Sequence, residues 1–414
     1  MNKIKNKTHK FLKWTEKWTK TDMIYLAKGG FWLSLGQIIM TFSTFFISLS
    51  FANFLPKESF GTYKFILSIV GIISITSLPG MVTALTRAVS RGNEGSFFPV
   101  IKTKLKFSLI GFLIYISLSF YYYTNGNNTL AIAFLIISFL SPINQSIIPT
   151  GSILSGRKLF KDGTKINILK NIFNAITIII AVYLSNNIII ILSTYLLSNI
   201  LAQIIILFYT INKYKPNNKI DPDAINYGKQ LSYMRLFGRI VSNIDKIIIF
   251  HFLGATNLAI YSFAMIIPEK IKGLIKQVGS LAFPKFAVSD ETQIKKSLIS
   301  KIIKLTYILS IITIIYIISA PFIFKYLFPQ YTDSIFISQV FAISILLSPQ
   351  ILLNRYLQSK QKTKELYLIS ILSPSFRIIF YFIFFRLGVI GFIISIIMSR
   401  TINYVIQYRL FRRS

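Results

Sequence analysis

Apolar residues run along this chain in blocks of about 20, the length an α-helix needs to cross ~30 Å of hydrocarbon, and polar residues fill the gaps between them. The blocks read at 24–53, 62–85, 105–123, 129–153, 166–185, 188–210, 231–253, 259–284, 301–320, 335–357, 366–386 and 389–409. They predict an all-α integral membrane protein of 12 transmembrane helices, with both termini on one side. The gaps alternate in charge. One set comprises the N-terminal arm, 86–106, 154–170, 211–230, 285–304, 355–365 and the C-terminal "RLFRRS", and it holds most of the Lys and Arg; the opposite gaps hold Lys57, Lys325 and Arg386. The positive-inside rule makes the basic set cytoplasmic. The expectation is a multi-pass protein of the cytoplasmic (inner) membrane with both termini in the cytoplasm. Gaps such as "TNGNN" and "SNN" are too short to hold a soluble domain.

Composition sharpens this picture. The chain of 414 residues is 53% hydrophobic and carries 46 basic against 13 acidic residues, a net charge of +33. In a soluble protein that excess would suggest nucleic acid. Here the cations punctuate membrane blocks, so topology accounts for most of them; membrane lipids are expected partners and nucleic acid is not. Cysteine is absent, which excludes disulfides and thiolate chemistry. His9 and His251 have no ligand cluster, so neither metal nor cofactor is expected. The segment before Ile24 is too long, and the apolar run after it longer still, for a cleavable signal peptide. Within it, Phe11, Trp14 and Trp18 fall at i, i+3 and i+7 among lysines, a pattern suited to a helix lying in the membrane interface.

An internal repeat divides the chain. "NFLPKESFGTYKF" (53–65) and "HFLGATNLAIYSF" (251–263) share Phe54 with Phe252, Leu55 with Leu253, Tyr63 with Tyr261 and Phe65 with Phe263. Both copies follow the first span of a six-span block. An even number of spans between copies implies a parallel repeat about an axis along the membrane normal. The expected organisation is a basic amphipathic arm (1–23), an N-terminal six-helix lobe (24–210), a Pro- and Asn-rich cytoplasmic linker (211–230), a C-terminal six-helix lobe (231–409) and a tail (410–414).

The candidate chemistry lies in charges that membrane helices should not hold, since each costs at least ~2.5–3.5 kcal/mol near the bilayer centre. At 100° per residue, Arg235, Arg239, Ser242 and Lys246 fall within roughly 60° of one helix face, with Asp245 and Asn243 on its shoulders. Glu269, Lys272 and Lys276 follow at i, i+3 and i+7, just after Pro268. Arg377 follows Pro374, Arg400 lies in the last span with Asn403, and Arg87 closes span two. At the repeat offset, Arg235, Arg239, Asp245 and Lys246 correspond to Gln37, Thr41, Ile47 and Ser48, so the scaffold does not require these charges. Cations exceed carboxylates in the second lobe, and the first has no Asp or Glu within a span. An interior with surplus cations expects an anionic ligand, phosphate above all. The competing reading is a structural ion-pair network centred on Asp245. "GSILSGRK" (151–158) lacks the order of a phosphate loop and ends a span, so no ATP site is expected.

"GGFWLSLGQ…FANFLPKESFGTYKF", "SLPGMVTALTRAVSRG" and "NIDKIIIFHFLGATNLAIYSFAMIIPEKI…SLAFPKFA" resemble the corresponding stretches of Wzx-type oligosaccharide flippases, in the multidrug/oligosaccharidyl-lipid/polysaccharide (MOP) exporter superfamily. Ala259-Ile260 before Tyr261 departs from the usual glycine. The resemblance implies a MATE-like fold of two pseudo-symmetric six-helix lobes enclosing a central cationic cavity. It implies alternating access that moves a polyprenyl-diphosphate-linked oligosaccharide from the cytoplasmic to the outer leaflet, for cell-surface polysaccharides such as O-antigen lipopolysaccharide. It also implies that Arg87 and Asp245 stand where such proteins keep charge. On this reading the protein is a secondary transporter and no enzyme. Arg235, Arg239 and Lys246 bind the diphosphate, with Lys272, Lys276, Arg377, Arg400 and Arg87 as further cavity cations. Asp245 and Glu269 either carry a coupling H⁺ or Na⁺ or pair with Arg and Lys; the membrane potential is the other energy source. A functional monomer is expected, with glycan-assembly proteins as candidate partners. The alternatives are a multidrug/cation antiporter of the same superfamily, which would want acidic residues in its pocket, and an integral-membrane glycan polymerase or ligase, which would want a larger external loop than 321–335.

Overall fold

The computed structural model describes residues 23–288, 291–360 and 362–413, and among them the regular structure is entirely helical. The arm expected at 1–22 lies outside the described residues. The α-helices are α1 (Met23–Phe54), α2 (Lys57–Ile73), α3 (Met81–Ser90), α4 (Phe97–Thr124), α5 (Asn128–Ile147), α6 (Gly151–Gly156), α7 (Phe160–Leu184), α8 (Ile188–Tyr214), α9 (Ala224–Met234), α10 (Leu236–Leu253), α11 (Ala255–Val288), α12 (Glu291–Leu327), α13 (Ser334–Ala342), α14 (Gln350–Ser359), α15 (Thr363–Phe384) and α16 (Gly388–Arg413). Each apolar block of the sequence falls on one or two of these helices. Eight helical segments among the described residues are long and apolar enough to cross a membrane, or nine if α13 and α14, bent by 41°, form one span. One of the eight, Thr363–Arg413, contains both α15 and α16. Neither α10 nor α11 is among the eight, and these two carry the charged stripes.

The helices form two compact units. One gathers Ile39–Ser262 with Leu327–Gln330; the other gathers the described parts of Met1–Ile38, Phe263–Tyr326 and Tyr331–Ser414. This division differs from the lobes drawn at 24–210 and 231–409, because α10 packs along α2 in the first unit. Small residues permit that packing. A Cβ on Gly61 would meet the Ala255 carbonyl, Gly71 lies against the Asn243 side chain, and between them the Phe65 and Phe250 rings stack at 3.9 Å.

Span two does not run straight. After α2 a 3-10 turn, Ser74–Ser77, leads to Leu78, a buried non-glycine residue at φ 53°, and then to Pro79 and Gly80. Proline lacks the N–H that would continue the ladder, and the chain restarts as α3. Gly80 packs against the α9 backbone, where a Cβ would lie 2.5 Å from the Gly228 carbonyl, and its N–H donates to Ser232 Oγ at 2.9 Å.

The segment expected as the linker, 211–230, is tied down at its start. Arg157 donates from Nε and Nη2 to the two carboxylate oxygens of Glu94 at 2.5 and 2.6 Å. Glu94 also accepts from the Asn217 N–H at 3.0 Å, and Ser96 Oγ accepts from the Asp221 N–H at 2.8 Å. A bidentate guanidinium–carboxylate pair carrying a third hydrogen bond is geometrically specific. Arg157→Ala should therefore cost about 2 kcal/mol, the range of a hydrogen bond to a charged group. Limited proteolysis should show cleavage within 215–223 accelerating in the variant; an unchanged cleavage rate would mean that the clamp does not hold this segment.

Candidate functional site

Two clusters of charge emerge, one in each unit. In the first unit the broken end of α2 organises the stripe. A helix end leaves carbonyls without intrahelical partners and carries partial negative charge. Arg239 answers both needs, donating from Nε to the Gly71 carbonyl at 3.0 Å and from Nη2 to Ser74 Oγ at 3.3 Å. Lys104, 1% exposed, donates to the Ser77 carbonyl at 2.6 Å. The sequence places Lys104 in a basic cytoplasmic gap, whereas the fold buries it against the break in span two.

Farther along α10, Asp245 is 4% exposed and accepts from the Tyr261 hydroxyl of α11 at 2.5 Å. Lys246 folds back onto its own helix, 3.3 Å from Asp245 Oδ1 and 3.2 Å from the Ser242 carbonyl. The stripe is shorter than the helical-wheel reading. Arg235 sits at the joint between α9 and α10, before α10 begins, and is exposed. Arg87 is not gathered with these residues; its guanidinium lies 4.6 Å over the Tyr227 ring of α9.

In the second unit the break in the tenth span does the organising. After α13 a 3-10 turn, Ile343–Ile345, precedes Pro349 and α14. Irregular backbone at membrane depth is tolerated where it lines a polar site. This turn presents Ser344, and Phe341 lies in the last turn of α13 just before it. Lys272 reaches Glu269 Oε1 at 2.7 Å, one helical turn away on α11, and donates to Ser344 Oγ at 3.0 Å. Arg400 of α16 reaches the same Glu269 oxygen at 2.9 Å and Ser344 Oγ at 3.3 Å. Both cations lie over the Phe341 ring, at 4.2 Å for Lys272 and 5.4 Å for Arg400. Arg377 of α15 donates to Ser399 Oγ at 3.5 Å, on the residue that precedes Arg400. Lys276 is exposed, two turns along α11 from Glu269.

The polar seam continues along α16. Asn403 donates to Gln350 Oε1 at 3.3 Å and Gln407 to Asn403 Oδ1 at 3.2 Å, at i+3 and i+7 from Arg400. The cluster therefore holds Lys272, Arg400 and the nearby Arg377 against one carboxylate, and that carboxylate is 45% exposed. It offers surplus donors to an anion. Sequence reasoning named its four charged members and missed Ser344 and Phe341; the signal was Pro349 interrupting an apolar run. Among the described residues no group of three or more His, Cys, Asp or Glu could hold a metal ion.

Long helices broken at polar sites define a fold shared with known transporters. An inward-facing multidrug-resistance MATE family transporter of the MOP superfamily is similar over 92% of this chain and 97% of its own, at 13% identity and a TM-score of 0.71. The outward-facing conformation of such a transporter aligns over 94% and 95%, at 15% identity and a TM-score of 0.58. A MOP-superfamily transporter from Pyrococcus furiosus, described as having a binding pocket of reverse polarity that suggests a different function, aligns over 94% and 95%, at 14% identity and a TM-score of 0.65. The protein thus has the MATE-like fold of the MOP superfamily, as the sequence resemblance implies, and is a multi-pass membrane protein. The chain belongs to the polysaccharide biosynthesis protein family, whose pattern matches residues 26–290. No curated protein matches the sequence.

Proposed function

We propose that this protein is a flippase that moves a polyprenyl-diphosphate-linked oligosaccharide from the cytoplasmic to the outer leaflet by alternating access. The observation that carries the reading is the Lys272–Glu269–Arg400 cluster, in which two cations share one exposed carboxylate and a third, Arg377, is hydrogen-bonded to Ser399 beside Arg400. A diphosphate competes with Glu269 for these donors and brings more negative charge than the carboxylate it displaces. Family membership supports a polysaccharide pathway, and the reversed pocket polarity described for the Pyrococcus furiosus transporter gives the fold a precedent for departing from its usual charge. Arg239 and Lys246 form a second cationic element. Arg239 donates to a carbonyl and a hydroxyl of the α2 end, whereas Lys272 and Arg400 share a carboxylate that an incoming anion can displace, so the Lys272–Arg400 cluster is the stronger diphosphate site.

An inside-negative potential favours outward movement of net negative charge by about 2.3 kcal/mol per charge per 100 mV. The Tyr261–Asp245–Lys246 arrangement is the candidate site for a returning H⁺ or Na⁺. The cytoplasmic location of both termini belongs to this proposal and rests on the lysine bias. The test is translocation of a fluorescent polyprenyl-diphosphate oligosaccharide in proteoliposomes, comparing wild type with Lys272→Ala and with Lys102→Ala as a loop control. Transport by wild type and the control, with loss in Lys272→Ala, is expected. Folded wild type that moves a cationic dye and not the lipid would overturn the reading in favour of an antiporter.

A further inference from the structure

A groove of about 430 Å³, lined by no residue of either cluster, runs between α7 and α8. Its walls are Ile166, Leu169 and Phe173 from α7 and Ala202, Ile205 and Ile206 from α8. Leu169 and Ile205 are each about two-thirds exposed, so the groove opens to the molecule's outer face, where lipid tails lie. The lining also includes Asp162, Lys165, Lys170 and Tyr209; along α7 Asp162 and Lys165 come before the apolar wall, and Lys170 falls between Leu169 and Phe173.

The two lysines of the lining are not spent on the protein. Among the described residues, neither Lys165 nor Lys170 hydrogen-bonds or ion-pairs with another side chain or carbonyl. Asp162, the one carboxylate in the lining, accepts from the Tyr214 hydroxyl at 2.9 Å. Lys213 adds a third cation at the rim, donating to Tyr209 Oη at 2.7 Å. Lys165 and Lys170 differ by about 7.5 Å along the helix axis. That offset puts Lys165 before the apolar wall and Lys170 within it, where an unpaired cation is costly unless an anion meets it.

We infer that the α7–α8 groove is a binding site for an anionic phospholipid, its phosphate held between Lys165 and Lys170 and an acyl chain laid along Leu169, Phe173 and Ile205. A zwitterionic lipid would fill the apolar part equally well but brings its own cation to the lysines. The site selects by charge, and basic pockets between membrane helices on the lysine-rich side select anionic headgroups in this way. It is separate from the Lys272–Arg400 cluster and holds whatever the transported substrate proves to be.

The experiment uses the full chain in bilayers, with Trp14, Trp18 and Trp32 replaced by Phe and Phe173→Trp as the reporter. Quenching by brominated phosphatidylglycerol is compared with quenching by brominated phosphatidylcholine. Each lysine near an anionic headgroup contributes about fivefold in affinity, so phosphatidylglycerol should quench at a several-fold lower mole fraction. Lys165→Gln with Lys170→Gln should bring the two lipids together, whereas Lys165→Arg with Lys170→Arg should keep the preference and shows that the fold tolerates substitution. Equal quenching by both lipids in the lysine protein would overturn the proposal, as would a preference that survives the double Gln change. Displacement of phosphatidylglycerol by substoichiometric polyprenyl diphosphate would also overturn it, by assigning the groove to substrate.

Discussion

Arg400→Ala should weaken binding of a diphosphate ligand by about 10- to 100-fold, the equivalent of one hydrogen bond to a charged group. Arg400 is the only described side chain that reaches both Glu269 and Ser344 from α16, at 2.9 and 3.3 Å. Lysine at this position keeps the charge and loses the planar fork, so Arg400→Lys should fall between wild type and alanine. Glu269→Gln should move the other way. Without the carboxylate, Lys272 and Arg400 lose their shared internal partner, and an incoming anion no longer competes for them. Binding should tighten while translocation slows, because release from the outer side now breaks stronger contacts. Calorimetric titration with a polyprenyl diphosphate in detergent gives the affinities, and the proteoliposome assay gives the rates. Weakened binding in Glu269→Gln as well would show that the cluster is a structural ion-pair network.

Gly61→Ala should be the most damaging single-methyl change in the α2–α10 packing. Its Cβ would lie 1.8 Å from the Ala255 carbonyl oxygen, a backbone atom that no rotamer change can move. Relief requires α2 to shift away from the junction of α10 and α11, loosening the Phe65–Phe250 stack and the Arg239 contacts farther along the same interface. Overpacking costs typically 1–3 kcal/mol, and a clash with backbone puts this variant at about 3 kcal/mol. Gly238→Ala is the control: nothing lies within 4 Å of its Cβ position, and alanine is the better helix former. Thermal unfolding in detergent should show a drop for Gly61→Ala and none for Gly238→Ala. Equal midpoints would mean that the helices separate there without cost.

Much of this architecture could be read from residues alone, because hydrocarbon imposes one length and one polarity on every span. The helices α7, Phe160–Leu184, and α8, Ile188–Tyr214, cover the apolar blocks 166–185 and 188–210 except for Ser185. The Glu269–Lys272 pair was equally legible, since i and i+3 meet on any helix. What escaped was of two kinds. A partner distant in sequence has no local signature, and Arg400 finds Glu269 across 131 residues. A break inside an apolar run is averaged away by hydropathy, and so Ser344 and the turn at Ser74–Ser77 were hidden in continuous blocks. Lys104 combines both difficulties. Its charge reads as loop, and only the break in span two supplies the carbonyl that takes it inside. The helical wheel also ran Arg235 into the stripe, because nothing in "MRLFGR" announces the joint that separates α9 from α10.

The pairing of α10 with α2 bears on how the chain enters the membrane during synthesis. Taken singly, α10 is a poor passenger: it carries Arg239, Asp245 and Lys246, and each charge at the centre of an inserting helix costs about 2.5–3.5 kcal/mol. The ribosome has already delivered α2 when α10 emerges, and α2 offers the Gly71 carbonyl and Ser74 hydroxyl that Arg239 requires. Tyr261, the donor to Asp245, arrives only with α11. Insertion of α10 is therefore an act of assembly with an earlier-made neighbour, held open until its successor follows, and a nascent chain stalled just after Gly254 should be the form most readily surrendered to membrane quality control.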